Sequence, residues 1–181
     1  MLGGDQTITI SARACVRADA GDAFALLATP SEHRRLQVPG IRVLSLENGR
    51  GGALRGGAIA LEGPLHMRRI ARTRVTLCQS PRRLAGSARL DSGTEAHVSW
   101  TLRPAADGAL EIELNAVLGP VATADRLALA LGGRRWVQGR FAQTLRRLAA
   151  ELEAAPAAGR AAGRAPAAAR GGANRRVTQP A

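Results

Sequence analysis

Few side chains in this sequence are of the types that move protons or bind metal ions. The three histidines are widely separated, and no two have the spacing of three or four residues that places metal ligands on one helical face. No histidine and acid are arranged as an evident metal site or catalytic triad. Tyrosine is absent, which excludes a phenolic acid. We therefore predict no catalytic set, no metal and no cofactor.

The histidines and a few arginines are still the candidates for acid–base chemistry, if any takes place inside a cavity. His97 falls on the strand face opposite Trp100, which predicts a solvated or surface-paired imidazole. His66 follows the Gly63-Pro64 turn, where it could lie at the rim of a pocket. His33 stands beside two arginines on a short helix, and we expect it to face solvent. The arginine candidates are Arg72, Arg74 and Arg103.

Apolar side chains indicate a different function, the binding of a small hydrophobic molecule. Such a pocket needs apolar walls with few polar anchors. The predicted wall residues are Phe24, Leu27, Val75, Leu77, Leu84, Ala88, Val98, Trp100, Leu102, Ile112, Leu114, Val137, Phe141 and Leu145. The alternative is that these side chains fill a solid core. An aromatic content of 2% and many small residues favour a hollow, since small side chains fill space poorly.

The elements that position these residues begin with a strand and two short helices. Apolar and polar residues alternate from Ile8–Val16, which is typical of a strand with one buried face. Asp19 stands where a helix N-cap belongs, ahead of an apolar run. Thr29-Pro30 ends this first helix, and a second short helix is predicted at 32–36.

Six further strands are separated by short turn signals. They are predicted at 41–47, 52–62, 67–78, 83–90, 95–103 and 109–118. Asn48-Gly49, Ser80-Pro81 and Asp107-Gly108 are among the turns between them, at intervals that favour hairpins. The six strands should therefore pair antiparallel.

The last element is a long helix that begins after Gly119-Pro120. Gly132-Gly133 should weaken or kink it, because each glycine costs about 1 kcal/mol against alanine inside a helix. Beyond the glycines, apolar residues recur on one helical face: Val137, Phe141, Leu145, Leu148 and Leu152. This face should lie across the concave side of the sheet.

Composition bounds the domain organisation and the compartment. The 181 residues carry a formal net charge of +12, and every basic residue is arginine, which fits a compositional bias as well as a selected use of guanidinium. We expect a flexible N-terminus at 1–6, one domain at 7–153 and a disordered tail of Ala, Gly, Pro and Arg at 154–181. No uncharged apolar run approaches the roughly 20 residues that span a bilayer. Cys15 and Cys78 are too few for a disulfide framework, so we predict a cytoplasmic protein with two ordinary thiols.

Several stretches carry a resemblance to a known superfamily. They are ITISARACVRADAGDAFALLATPSEH, VPGIRVLSLE, SPRRLAGSARL and GRRWVQGRFAQTLRRLAAELE. Their order resembles the START-like helix-grip (SRPBCC) superfamily, in particular its polyketide cyclase/dehydratase and CoxG-like members. Leu36 departs from the tryptophan that many relatives carry, and Gly108-Ala109 replaces their Gly-Thr.

The resemblance implies an α+β fold with a cavity. In this fold a seven-stranded antiparallel sheet curves around a long C-terminal helix, and two short helices lie between strands 1 and 2. The families share no single catalytic residue, and their common property is a cavity between helix and sheet. We therefore expect binding of a small hydrophobic ligand, such as a lipid, a polyketide or an isoprenoid-like molecule.

Two other functions stay open from the sequence. One is a polyketide cyclase or dehydratase, which would need an acid or base in the cavity. The other is a basic module that meets a ribosome, nucleic acid or anionic membrane through Arg134-Arg135, Arg146-Arg147 and the arginines of the tail. Without interleaved aromatic residues, contact by the tail should be weak, non-specific and sensitive to salt.

Overall fold

The computed structural model describes residues 7–49, 52–64 and 67–154. The predicted N-terminal segment 1–6, His66 and all of the predicted tail except Ala154 lie outside these residues. The expectations for them stay predictions.

The chain forms one sheet and a helical layer. The strands are β1 (Ile8–Val16), β2 (Ile41–Asn48), β3 (Leu54–Glu62), β4 (Arg68–Gln79), β5 (Arg83–Leu90), β6 (Glu95–Pro104) and β7 (Leu110–Leu118). The helices are α1 (Ala20–Ala28), α2 (Pro30–His33), α3 (Thr123–Ala128) and α4 (Arg134–Ala154). A 3-10 turn at Arg34–Leu36 follows α2, and a π turn at Leu129–Gly133 joins α3 to α4.

The seven strands pair antiparallel in the order β1-β7-β6-β5-β4-β3-β2. Alternation of apolar and polar residues sets the register, because a slip of one residue would turn every apolar side chain to the other face. Trp100 accordingly lies opposite Leu114, and Leu102 lies opposite Ile112. The sheet, the two short helices after β1 and the long C-terminal helix confirm the predicted α+β helix-grip fold.

The α1 helix begins where the sequence predicts. The carboxylate of Asp19 accepts hydrogen bonds from the backbone N–H groups of Gly21, at 2.7 Å, and Asp22, at 3.4 Å. These bonds satisfy two amides that have no partner within the helix. The second helix begins at Pro30, two residues before the predicted position, since the fixed φ of proline suits the first helical residue.

The C-terminal helix is kinked at its glycines, as predicted. Gly132 has a φ of +108°, in the region that L residues rarely adopt, and an added Cβ would meet no atom within 4 Å. Beyond the kink, α4 buries Phe141, Leu145, Leu148 and Leu152 on one face. This helix packs mainly on β1, with a smaller contact on β7. The half of the sheet that contains β2 to β5 therefore has little direct helix packing.

Bulges bend this less covered half. The register shifts between Val43 and Ser45 on β2 and between Val75 and Leu77 on β4. Gly57 lies opposite Leu46, next to the first bulge, and an added Cβ there would sit 2.1 Å from the carbonyl oxygen of Ser45. Only glycine allows so close an approach of the two backbones.

Candidate functional site

A cavity of about 350 Å³ lies between the helical layer and the inner face of the sheet, and residues from all seven strands line it. Its volume is at the lower end of the range of small-molecule sites, about 300–1,000 Å³. The segment from α2 to the start of β2 bridges the edge of the sheet to α4, where Arg147 donates a hydrogen bond to the carbonyl oxygen of Gln37 at 2.8 Å. The cavity therefore has the sheet, α4 and this bridging segment as walls.

Many of the residues predicted for the wall do line this cavity. They are Val75, Leu84, Ala88, Val98, Trp100, Leu114, Val137 and Phe141. Val75, Val98 and Val137 are only partly buried, so their side chains keep surface that a guest could cover. Whether these residues contact a ligand stays a prediction.

Five predicted wall residues lie in the packed core and not on the cavity. They are Phe24, Leu27, Leu102, Ile112 and Leu145, all of them buried. The α1 helix contacts β5, β6 and α4, and so fills the space at that end of the sheet. The alternative of a solid core is correct for this end of the molecule.

Leu77 is also misplaced, for a different reason. The bulge on β4 leaves Val75 opposite Gly86 but puts Leu77 opposite Ala85. Ala85 pairs with Ser99, whose neighbours His97 and Thr101 belong to the outer face. The extra residue therefore turns Leu77 away from the cavity, which simple alternation along β4 could not reveal.

The β2 and β3 strands supply cavity residues that the sequence reasoning missed. They are Ile41, Val43, Leu46, Leu54, Ile59 and Leu61. The signal was present, since Ile41 and Val43 on one strand, and Ile59 and Leu61 on the next, alternate with other residues. The glycines of β3 indicated a weak strand, and its apolar face was therefore not predicted as part of the cavity wall.

A buried polar cluster forms another part of the wall, and its centre is Asp125 on α3. The side chain of Asp125 is 7% exposed, and its Oδ1 accepts a hydrogen bond from Nε of Arg69 at 2.9 Å. Its Oδ2 accepts from the hydroxyls of Ser92 and Thr94. Thr94 is fully buried and also accepts a hydrogen bond from the backbone N–H of Ala122, at 3.0 Å. The cluster ties the start of α3 to β4 and to the β5–β6 turn.

The electrostatics of this cluster keep the carboxyl ionised. Burial alone would raise the pKa of Asp125, but the hydrogen bonds from Ser92, Thr94 and Arg69, together with the charge of Arg69, outweigh burial and lower the pKa below its ordinary value. A proton donor or acceptor with a pKa near 7 is what general acid–base catalysis needs. Asp125 is therefore a structural anion in this arrangement.

His33 lines the cavity, contrary to the expectation that it faces solvent. The ring is partly buried, and its Nδ1 lies 3.1 Å from the carbonyl oxygen of Leu27. Burial lowers the pKa of His33 below its usual value of 6.5, against the opposing effect of the bond to Leu27. The imidazole is therefore neutral at pH 7. The expectation failed because α2 turns this residue inward while its neighbours Arg34 and Arg35 are exposed.

Most of the remaining candidates for chemistry lie outside the cavity. His97 is exposed on the outer face, as predicted, opposite Ser87 and Val117. Arg72 and Arg103 are exposed. Arg74 is also exposed, but it is one of the residues that line the cavity. Within the described ranges, no group of three or more His, Cys, Asp or Glu side chains could hold a metal ion. Cys15 and Cys78 are free and exposed.

Comparison with known proteins places the chain in a family. Residues 7–153 match the family described as polyketide cyclase / dehydrase and lipid transport. The chain belongs to this family. The match covers the whole sheet and nearly all of α4. A comparison with curated proteins gave no match.

Several solved structures share the fold of this chain. A protein of Rhodobacter sphaeroides is 23% identical, with 81% of this chain and 92% of that chain covered and a TM-score of 0.56. A START superfamily protein from Mycobacterium smegmatis is 11% identical, with 81% and 97% covered and a TM-score of 0.55. DynU16, from the dynemicin biosynthetic locus, is 16% identical, with 80% of this chain and 47% of that chain covered and a TM-score of 0.53. At these identities the likeness shows a shared fold.

Among the residues that the structure describes, no helix combines the length and the apolar character needed to cross a bilayer.

Proposed function

We propose that this chain binds a small, largely apolar molecule in the cavity between the helical layer and the inner face of the sheet. The strongest support is the offset of α4, which packs on β1 and leaves an apolar hollow of about 350 Å³ beside it. Membership of a family of cyclases and lipid-transport proteins supports the same function. A lipid, a polyketide or an isoprenoid-like compound would fit such walls.

The size of the apolar contact sets the expected affinity. A ligand that buries on the order of 300 Å² of apolar surface gains roughly 7–8 kcal/mol, at ~25 cal/mol per Å². Association costs reduce this gain, so that micromolar dissociation constants are the best to expect from apolar contact alone. The cytoplasm remains the predicted location, on the evidence of the two thiols.

Substitutions that fill the cavity test this function. Val75 on β4 and Val98 on β6 both lie on its wall, and both keep exposed surface. We expect the wild-type protein to bind the uncharged fluorescent probe 2-methoxynaphthalene. Val75→Phe and Val98→Phe should each weaken binding by about tenfold or more, because the added ring occupies the space of the guest. Fluorescence titration of the probe measures the dissociation constants.

The same sheet offers a matched control. Val117 lies on the outer face, opposite His97, so that Val117→Phe adds the same ring outside the cavity. This variant should bind the probe like the wild type. Equal affinities for all four proteins, or no binding by the wild type, would exclude the cavity as the binding site. A filled core would give another contrary result, since overpacking by Val75→Phe and Val98→Phe would then cost about 1–3 kcal/mol of stability.

A further inference from the structure

His33 presents one nitrogen atom that the fold does not use. The carbonyl oxygen of Leu27 can only accept a hydrogen bond, so the Nδ1 atom that lies 3.1 Å from it must carry the proton. In the neutral ring the other nitrogen, Nε2, then has a free lone pair and acts as an acceptor. The bond to Leu27 therefore fixes the tautomer and the orientation of the imidazole.

The Nε2 atom is also available to a guest. Within the described residues, Nε2 makes no hydrogen bond to the protein, and it is not among the polar atoms that are fully shielded from solvent. His33 is a residue of the cavity wall. A residue of a mostly apolar cavity wall therefore has an acceptor atom without a protein partner in the described residues.

Several other polar groups of the wall are already bonded within the protein. The carboxylate of Asp125 accepts from three side chains, and the charge of Arg69 is neutralised there. The side-chain oxygen of Gln37 accepts from the backbone N–H of Val43 at 3.3 Å. The hydroxyl of Thr144 donates to the carbonyl oxygen of Arg140 at 3.0 Å. These bonds leave His33 as a prominent open acceptor toward a guest.

We propose, on the basis of the function proposed for the cavity, that Nε2 of His33 accepts a hydrogen bond from a hydroxyl group of the bound molecule. The ligand is then an uncharged alcohol or phenol with an apolar body. A carboxylate would bring its own lone pairs against Nε2, and the guanidinium of Arg69 on the cavity wall is already paired with Asp125. The lowered pKa of His33 keeps the ring in the acceptor form at neutral pH.

A pair of probes that differ in one hydroxyl tests this assignment. 2-Naphthol can donate a hydrogen bond, whereas 2-methoxynaphthalene has the same ring system and cannot. The ratio of their affinities should be about three- to tenfold more in favour of 2-naphthol in the wild type than in His33→Leu, the range expected for one net hydrogen bond. The exposed His97 provides the matched control, since His97→Leu should leave the wild-type ratio unchanged.

Nitrogen-15 NMR of the wild-type protein gives a second readout that does not depend on a variant that folds. His33 should show the tautomer with the proton on Nδ1. The Nε2 resonance should move on addition of 2-naphthol and stay in place when 2-methoxynaphthalene binds.

The possible outcomes separate the two levels of the proposal. Binding of both probes with an unchanged ratio in His33→Leu, and with no movement of the Nε2 resonance, would overturn the role of His33 but leave the cavity as a binding site. Failure of both probes to bind the wild type would overturn both proposals. A ratio that changes equally in His97→Leu would also exclude a specific contact with His33.

Discussion

Loss of the carboxylate of Asp125 should destabilise this protein far more than loss of a surface acid. Asp125 is 7% exposed in its side chain and accepts hydrogen bonds from Arg69, Ser92 and Thr94. Asp125→Ala would leave the guanidinium of Arg69, which is 26% exposed, without its partner in a mostly buried place. Removal of one member of a buried pair typically costs about 3–5 kcal/mol. The residual exposure of Arg69 places the expected loss near the lower value, about 3 kcal/mol.

Urea unfolding followed by circular dichroism measures this loss, and thermal unfolding should show Tm lower by roughly 6–12 °C for a protein of this size. The control is Glu62→Ala, which removes the acid of a surface pair in which Arg42 lies 3.6 Å away and both side chains are more than half exposed. Such pairs contribute about 0–1 kcal/mol. Asp125→Ala and Glu62→Ala should therefore differ clearly.

A compensating variant shows whether the unpaired charge causes the loss. Because the cost comes largely from the arginine left behind, Arg69→Met in the Asp125→Ala background should recover part of the stability. The reasoning is wrong if Asp125→Ala costs no more than Glu62→Ala. It is also wrong if Arg69→Met adds a further full loss to Asp125→Ala.

Two further predictions concern glycine geometry and pH. Gly139 lies on the exposed side of α4 with no atom within 4 Å of an added Cβ, so Gly139→Ala should stabilise the protein by about 0.4–1 kcal/mol. Gly132→Ala should destabilise it, because φ at this position is +108°. Urea unfolding that gave both substitutions the same sign would contradict this reasoning. The pKa of His33 is lower in the folded state than its usual 6.5, so the unfolded chain binds a proton that the folded chain resists. The free energy of unfolding should consequently be level above pH 6.5 and should fall as the pH drops from 6.5 to 5, a range well above the titration of Asp125. His33→Leu should flatten this slope when unfolding is measured across the range. An unchanged slope in His33→Leu would assign the effect to another group.

The course of the backbone could be predicted from the sequence because its signals are local. Alternation over a few residues defines each strand, and the turn residues between strands leave antiparallel pairing as the simplest arrangement. The cap at Asp19 and the kink at Gly132 are also decided by their immediate neighbours. Each of these features concerns residues a few positions apart, and the structure has all of them.

The polar residues of the cavity follow from contacts that no local pattern records. Asp125 is bonded to residues 31, 33 and 56 positions away in the sequence. In isolation it has the pattern of an acid in the first turn of a helix, where it would be equally favourable in contact with solvent. His33 likewise ends its short helix just before two exposed arginines, and only the packing of α2 along the sheet edge turns it inward.

The position of the cavity depends on how the layers are placed, which explains the errors among the predicted wall residues. Ile112 and Leu114 are two residues apart on β7 and face the same way, yet Ile112 is packed in the core while Leu114 lines the cavity. Nothing in the pattern of β7 distinguishes them. The difference arises from the helices that pack on the sheet, because α1 contacts β5, β6 and α4 beside the core, whereas few helix contacts reach β2 to β4. An apolar face is thus readable from the sequence, but whether it is filled or hollow is decided by the elements that pack on it.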